Sequence, residues 1–256
     1  MSFLDPVLNP VFQPLLDISP ILAIVVLAFL ISLLITLVYK FMTNQDEMKR
    51  LKDQQKDFQK KMKELRSNPA EMMKVQKEAM KVNMEYMKHS FKPTLITMLP
   101  IVLIFGWMSA HLSFEPIYPG ETYSITAFFK ESISEPAELM VDESTELISK
   151  EKQNIGEDKS VSWNVKSDEG EHILTVKVGK NEQSKKVLIT KELEYEEQVS
   201  TFQHSDIEKI TIDYNKLKPL GKFTVPLFNW QPGWLGIYII FSIIFSISMR
   251  KAMKLY

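Results

Sequence analysis

The stretch Phe91–Met108, FKPTLITMLPIVLIFGWM, decides what kind of fold this chain can adopt. It begins with a lysine and a proline and carries no charged side chain from Pro93 to Met108. A helix needs about 20 mainly apolar residues to cross roughly 30 Å of hydrocarbon. The apolar part reaches that length only with its flanking residues, so a buried core helix and a membrane span both have to be considered.

Two further apolar blocks favour the membrane. Ile21–Tyr39 (ILAIVVLAFLISLLITLVY) is long enough to span outright, and Trp234–Met249 (WLGIYIIFSIIFSISM) is slightly short like the first stretch. A soluble core of 256 residues could hide one such block but not three. We therefore predict a helical membrane protein with three spans. Trp107, Trp230 and Trp234 would form its outer aromatic belt.

Charge predicts the orientation of these spans. Residues 40–92 carry 14 basic and 8 acidic side chains, whereas residues 113–229 carry 14 basic and 22 acidic ones. Positive segments stay in the cytoplasm, so the N-terminus and the long second segment should lie outside. No basic residue precedes Ile21, which indicates a retained anchor rather than a cleaved signal peptide. We expect a multi-pass protein of the plasma membrane with a cytoplasmic C-terminus.

The basic segment predicts an antiparallel coiled-coil hairpin. Good helix formers fill residues 45–66, and Ser67-Asn68-Pro69-Ala70-Glu71 then combines a cap, a first-turn proline and a capping-box glutamate. A second helix is expected to about His89. Apolar residues recur at heptad-like intervals in both arms. These are Leu51, Phe58, Met62, Leu65, Met73, Met80, Met84 and Met87.

Methionines of the second arm have two interpretations. Met73, Met80, Met84 and Met87 could be ordinary coiled-coil core, or an adaptable surface that captures hydrophobic substrate segments. The basic residues could likewise be a solvated face or a contact to ribosomal phosphates.

Each span carries small polar side chains, and i,i+4 spacing places some of them on one helix face. They could satisfy their own helices, or they could converge on a groove open to the cytoplasm. Pro100 removes a helical hydrogen bond and is expected to loosen the second span. The six candidate groove residues are Ser32, Thr36, Thr94, Thr97, Ser242 and Ser246.

Residues 118–229 predict short β-strands in an immunoglobulin-like sandwich, with Trp163 in the core. The six predicted strand sequences are ETYSITAFF, AELMV, SVSWNV, HILTVKV, KKVLIT and KITIDY. His172 and His204 lack an evident nucleophile nearby, and the chain has no cysteine. We expect no catalytic residue, no metal site, no cofactor and no enzymatic activity.

The predicted organisation has seven segments. They are an extracytoplasmic N-terminus (1–19), span 1 (20–42), the cytoplasmic hairpin (43–91), span 2 (93–113), the extracytoplasmic β domain (115–229), span 3 (230–249) and a cytoplasmic tail (250–256).

Several of these motifs together resemble the archaeal YidC-like proteins of the YidC/Oxa insertase superfamily. The relevant residues are Lys92-Pro93, Pro100, Gly106-Trp107 and Arg250-Lys251, combined with the order of spans and hairpin. Relatives include the third subunit of the ER membrane protein complex and the ER transmembrane and coiled-coil domain protein. The resemblance covers about residues 20–114 and 205–256.

This resemblance implies insertion of hydrophobic nascent segments through a hydrophilic groove on the cytoplasmic side. Its implied partners are nascent membrane proteins, the ribosome through the basic hairpin, and the lipid bilayer, with the Sec translocon as a further candidate. Bacterial members place an arginine in the groove, and this chain has no basic residue within a span. Lys40 and Lys92 at the groove mouth would substitute by snorkelling.

A different class of function stays open from the residues alone. The chain would then be a membrane receptor or scaffold, whose external β-sandwich binds an unknown partner and whose coiled coil relays the signal. Hydroxyls on all three spans favour the insertase, because a receptor has no need of them.

Overall fold

A computed structural model describes residues 4–131, 133–226 and 229–255, and the chain divides into two compact units. The β unit comprises Met1–Pro20 and Trp107–Trp234, and the helical unit comprises Ile21–Gly106 and Leu235–Tyr256. The described residues form five α-helices: α1 (Asp5–Ile18), α2 (Pro20–Met42), α3 (Gln45–Glu64), α4 (Pro69–Leu112) and α5 (Trp234–Ala252). Helices α2, α4 and α5 are long and apolar enough to cross a membrane.

Helix α4 is continuous over 44 residues, a length of about 66 Å at the usual rise per residue. It joins the second arm of the predicted hairpin to the second predicted span without a turn between them. Pro93 and Pro100 both lie inside it. Long runs of helix-forming residues on either side of each proline allow the helix to continue despite the missing N–H groups.

Helices α3 and α4 form a hairpin with capped ends. Asn44 accepts hydrogen bonds from the backbone N–H groups of Asp46 (3.1 Å) and Glu47 (3.2 Å) at the start of α3. Asn68 accepts from the Glu71 N–H at 3.4 Å, as the capping motif predicts. Side chains also meet across the hairpin, where Gln55 Nε2 donates to Asn83 Oδ1 at 3.2 Å. Coiled-coil packing as such stays a prediction.

The inner faces of this hairpin follow a heptad spacing. Side chains that are buried or half-buried recur every three or four residues along both helices, which is the pattern of two helices sharing a seam. They are Met48, Leu51, Gln55, Phe58, Met62 and Leu65 on the first arm, and Met72, Val75, Ala79, Val82 and Tyr86 on α4.

Nine strands form the two sheets of the β unit within the described residues. The first sheet has the order β3-β5-β1-β9-β8 and the second the order β4-β2-β6-β7, with antiparallel pairing throughout. The strands are β1 (Thr122–Phe129), β2 (Ala137–Met140), β3 (Thr145–Leu147), β4 (Lys152–Gln153), β5 (Ser160–Ser167), β6 (Gly170–Val178), β7 (Asn181–Ile189), β8 (Val199–Thr201) and β9 (Ile207–Ile212).

All six predicted strands are confirmed, although their bounds shift by a few residues. Strands β3, β4 and β8 were not predicted, because they are two or three residues long and therefore too short to show alternation. Alternate residues of both sheets contribute to one hydrophobic core. Trp163 is fully buried in that core, as predicted, and its Nε1 donates to the Glu151 carbonyl at 3.0 Å. The immunoglobulin-like relationship stays a prediction.

Helix α1 was not anticipated from the sequence of the N-terminal segment. Asn9 Oδ1 accepts a hydrogen bond from Trp107 Nε1 at 2.8 Å, and the Phe12 ring lies 5.6 Å from the Trp107 ring. Trp107 is fully buried by these contacts and by the stacked ring of His111. The prediction that Trp107 faces lipid in an aromatic belt is therefore wrong, whereas Trp230 is exposed.

The outward face of α1 is apolar. Pro10 and Pro14 lie within the helix, and each lacks the N–H that would bind the carbonyl four residues earlier. The exposed side chains of α1 are Pro6, Val7, Pro10, Val11, Pro14, Asp17 and Ile18, so one charged side chain, Asp17, interrupts this otherwise apolar face.

Candidate polar groove

Helices α2 and α5 meet at hydroxyl groups in the middle of the helical unit. Ser32 Oγ donates to the Ser242 carbonyl at 3.4 Å, which links the two helices directly. Thr36 Oγ1 donates to the Ser32 carbonyl at 2.6 Å, so this buried hydroxyl is already used within α2. Ser242 Oγ in turn donates to the Ile239 carbonyl at 3.0 Å.

A first cavity of about 300 Å³ opens beside these contacts. Three of the six predicted groove residues line it, so i,i+4 spacing on α2 and α5 did place hydroxyls on facing surfaces. Branched apolar side chains and one tyrosine complete the wall. The lining consists of Ser32, Ile35, Tyr238, Ser242, Ile243, Ser246 and Ile247.

A second cavity of about 170 Å³ contains hydroxyls from α4. Thr97 is buried, and its Oγ1 lies 3.1 Å from the carbonyl oxygens of both Pro93 and Thr94. Thr94 Oγ1 donates to the Ser90 carbonyl at 2.8 Å. The residues around this cavity are Ile35, Tyr39, Tyr86, Ser90, Pro93, Thr94, Thr97 and Arg250.

The predicted groove residues are therefore divided between two cavities rather than gathered in one. Ile35 of α2 lines both cavities. Thr36 lines neither of them, because its side chain is directed at its own helix. Both cavities are lined by residues of the helical unit alone.

Arg250 is the residue that sequence reasoning missed. It lies in the last turn of α5, and its guanidinium carbon is 5.0 Å from the centre of the Tyr39 ring, within range for a cation–π interaction. The sequence analysis assigned it to the cytoplasmic tail (250–256), but it lines the second cavity. Its position one helical turn from Ser246 was the available signal, since both belong to the same helix face.

Lys40 and Lys92 do not take the place assigned to them at the groove mouth. Both side chains are exposed, and neither lines either cavity. A lysine at the end of a span extends readily into water, whereas Arg250 is half-buried beside Tyr39.

The methionines proposed for substrate capture form an exposed stripe. Met73, Met80, Met84 and Met87 are between 56% and 61% exposed, so they are not core residues of the hairpin. Met73, Met80 and Met87 each follow an inner-seam residue by one position, which rotates them by about 100° around α4, and Met84 lies two positions from Val82. Met80 and Met84 border an open cavity of about 720 Å³, together with basic and acidic side chains of the same helix.

The β unit contains a histidine cluster whose geometry is structural. His172 Nδ1 lies 2.9 Å from Asp142 Oδ2 and 3.2 Å from Thr145 Oγ1, while Nε2 binds the Asp168 carbonyl at 2.8 Å. A hydroxyl therefore lies near His172, contrary to expectation. Because the carboxylate and the hydroxyl share one ring nitrogen and the other binds the backbone, the arrangement does not form a nucleophile–base–carboxylate relay.

Three apolar helices and a separate β-sheet region define the class of this chain, a multi-pass integral membrane protein with a β insert. A family model described as "Integral membrane protein EMC3/TMCO1-like" matches residues 5–129, which include α1 to α4 and strand β1. That family belongs to the YidC/Oxa1/Alb3 insertase superfamily and is associated with membrane protein insertion. Neither the curated proteins nor the solved structures contain a significant match.

Proposed function

We propose that this protein is a membrane protein insertase that works without covalent chemistry or a cofactor. The observation that carries the proposal is the pair of cavities in the helical unit, which place hydroxyls of α2, α4 and α5 beside otherwise apolar helices. A polar group that enters hydrocarbon without a hydrogen-bond partner costs roughly 2–7 kcal/mol. A wall with hydroxyl groups lowers that cost for the polar flank of a passing segment.

The energy for insertion comes from the substrate itself. Burial of an apolar segment of about 20 residues in lipid is strongly favourable, so the step needs no nucleotide. In the proposed sequence, the cytoplasmic hairpin first receives the nascent segment on its exposed methionine stripe, Met73 to Met87. The polar flank then passes along the cavities while the apolar part moves into the bilayer.

Three partners follow from this proposal. Nascent membrane proteins are the substrates, and the ribosome would contact the basic exterior of the hairpin. The Sec translocon is a further candidate partner.

Photo-crosslinking tests the proposed sequence of contacts. Probes at Met84, Thr97 and Ser246 are exposed to ribosome-bound nascent chains that carry an emerging transmembrane segment. We expect crosslinks first from Met84 and then from Thr97 and Ser246 as the nascent chain lengthens. A probe at Ser248 serves as the matched control, because this exposed serine of α5 lines neither cavity.

Substitution of the cavity hydroxyls gives a functional test. Thr97→Leu and Ser246→Leu should lower insertion of a substrate with a polar flank, whereas Ser248→Leu should leave insertion unchanged. Equal insertion by all three variants, at matched protein levels, would count against the groove.

A second candidate, a receptor or scaffold, has one observation in its favour. The β unit has its own cavity of about 550 Å³, with aromatic and acidic side chains such as Phe114, Tyr195 and Glu196 in its lining. An absence of crosslinks from Met84, Thr97 and Ser246, together with capture of an external protein by a probe at Tyr195, would favour this function.

A further inference from the structure

The second cavity lies near the positions at which α2, α4 and α5 each change from an apolar to a polar sequence. Arg250 belongs to the last turn of α5, and Tyr39 lies one turn before the end of α2. Tyr86, Ser90 and Thr94 lie on α4, around the point where its uncharged stretch begins at Pro93. In a membrane-spanning protein these positions correspond to the boundary between hydrocarbon and water, where the phosphate groups of lipids lie.

Arg250 brings a positive charge into this cavity without an acidic counterpart. Among the residues that the structure describes, it forms no ion pair with a carboxylate. Its guanidinium carbon lies 5.0 Å from the centre of the Tyr39 ring, and a ring face does not replace the conventional acceptors that the five N–H groups prefer. A half-buried cation of this kind is stabilised by an anion.

The hydroxyl groups around Arg250 suit an anion with several oxygen atoms. The hydroxyl groups of Tyr86 and Ser90 line the same cavity, whereas the Thr94 hydroxyl already donates to the Ser90 carbonyl at 2.8 Å. Arginine binds phosphate oxygens with two parallel N–H groups, and hydroxyl donors extend such a site. The wall therefore combines the guanidinium of Arg250 with neighbouring hydroxyl groups.

The size of the cavity limits what can enter. The cavity has a volume of about 170 Å³. It admits a phosphate group, but not a helix of about 10 Å diameter.

We propose that this cavity binds the phosphate of an anionic lipid headgroup. Basic pockets between membrane helices are known sites for such headgroups, because the phosphate is paired while the acyl chains stay in lipid. Exposed lysines next to the cavity residues in sequence, Lys40, Lys92 and Lys251, strengthen the local positive field. The inference does not depend on the insertase proposal, since it concerns binding alone.

Binding can be measured on the purified full chain in neutral detergent. We expect the wild-type protein to bind one short-chain phosphatidylglycerol more tightly than phosphatidylcholine, by native mass spectrometry. Arg250→Gln should weaken this binding at least about tenfold, because it removes a charge-assisted, bidentate contact. Lys251→Gln is the matched control, as it removes the same charge from the adjacent, exposed position.

A second variant keeps the proposal testable if Arg250→Gln fails to fold. Tyr86→Phe removes a single hydroxyl from the cavity wall and should weaken binding of phosphatidylglycerol about threefold to tenfold. Its thermal midpoint and elution volume check the fold independently.

Three outcomes would overturn the lipid assignment. Equal losses in Arg250→Gln and Lys251→Gln would indicate unspecific attraction to charge. Displacement of the lipid by inorganic phosphate at the same concentration would indicate a free-phosphate site. Displacement by an acidic peptide, but not by excess phosphatidylglycerol, would indicate a site for polypeptide substrates.

Discussion

Asp142 and His172 show how single side chains stabilise the β unit. Asp142 accepts from the Ser144 N–H and hydroxyl at 3.2 Å, and its other carboxylate oxygen lies 2.9 Å from the buried His172 ring. Burial acts to raise the pKa of Asp142, but hydrogen bonds from Thr145, His172 and Ser144 outweigh it and lower the pKa below its ordinary value. The charged form of Asp142 therefore stabilises the folded β unit.

Asp142→Asn should destabilise the β unit in a pH-dependent manner. Because the folded pKa of Asp142 is lower than the unfolded one of about 3.9, the contribution is complete above about pH 5 and is lost as pH falls through the folded pKa. The variant should thus have a lower thermal midpoint than wild type at pH 7. The difference should shrink at about pH 3, as measured by tryptophan fluorescence of the full chain.

Glu182→Gln is the control for that experiment, because Glu182 is an exposed carboxylate of the same unit. An equal difference between Asp142→Asn and wild type at both pH values would contradict the assignment. A thermal midpoint of Asp142→Asn equal to that of the wild type at pH 7 would contradict it as well.

At the residue scale, the sequence predicted the hydroxyl groups that line the cavities but not the charged side chain, Arg250, that lines the second one. Ser32, Ser242 and Ser246 could be found because helical spacing alone places them on common faces. For Arg250 the sequence offered only its position one turn after Ser246, because its contact is with Tyr39, a residue of another helix. In a linear sequence, a cavity arginine and a tail arginine after a span look the same.

At the scale of elements, two different heptad phases on α4 could each form the inner face of the hairpin. Val75 and Val82 repeat seven residues apart, and so do Met73 and Met80 in the neighbouring phase. Either phase fits a helix with an apolar face, so the sequence predicted the hairpin but not its inner surface. In the structure Val75, Ala79 and Val82 are half-buried on the inner face, whereas Met73, Met80, Met84 and Met87 are exposed.

Substitutions in the two phases should have opposite consequences. Val82→Asn should lower the stability of the hairpin by about 1–3 kcal/mol, because it places an amide in the inner face. Met84→Gln should change stability by less than about 0.5 kcal/mol, as expected for an exposed site, yet reduce crosslinking to nascent chains. Hydrogen exchange over residues 45–90 measures the first effect.

The opposite pattern would contradict this assignment of faces. If Met84→Gln accelerated exchange while Val82→Asn did not, the methionines would form the inner face. Unchanged capture by Met84→Gln would leave the fold intact but remove the stripe from the proposed mechanism.

At the scale of the whole molecule, charge separates the two ends of the predicted topology. Residues 40–92 have an excess of six basic side chains, and residues 113–229 have an excess of eight acidic ones. The chain has no cysteine, so one introduced cysteine reports on one position only. This makes the orientation measurable without further changes to the protein.

Single cysteines at Gln59 and Lys177 should report opposite sides of the membrane. Both residues are exposed, on α3 and β6 respectively. Following the positive-inside rule, an impermeant maleimide added to intact cells should modify Lys177→Cys but not Gln59→Cys. Permeabilised cells should show modification of both, and labelling of Gln59→Cys in intact cells would reverse the predicted orientation.

Ile35 lies in the wall of both cavities of the helical unit, and this position bears on the permeability of the protein to ions. The cavities share this residue, and its branched side chain is part of the wall of each. An ion that leaves water for an apolar surrounding meets a high barrier, so a continuous polar path would leak where a divided one does not. Ile35→Ala should raise the passive sodium flux of protein-containing liposomes, whereas Ile35→Leu should keep it at the wild-type level. By keeping the two cavities separate, Ile35 would thereby keep the membrane impermeable to ions.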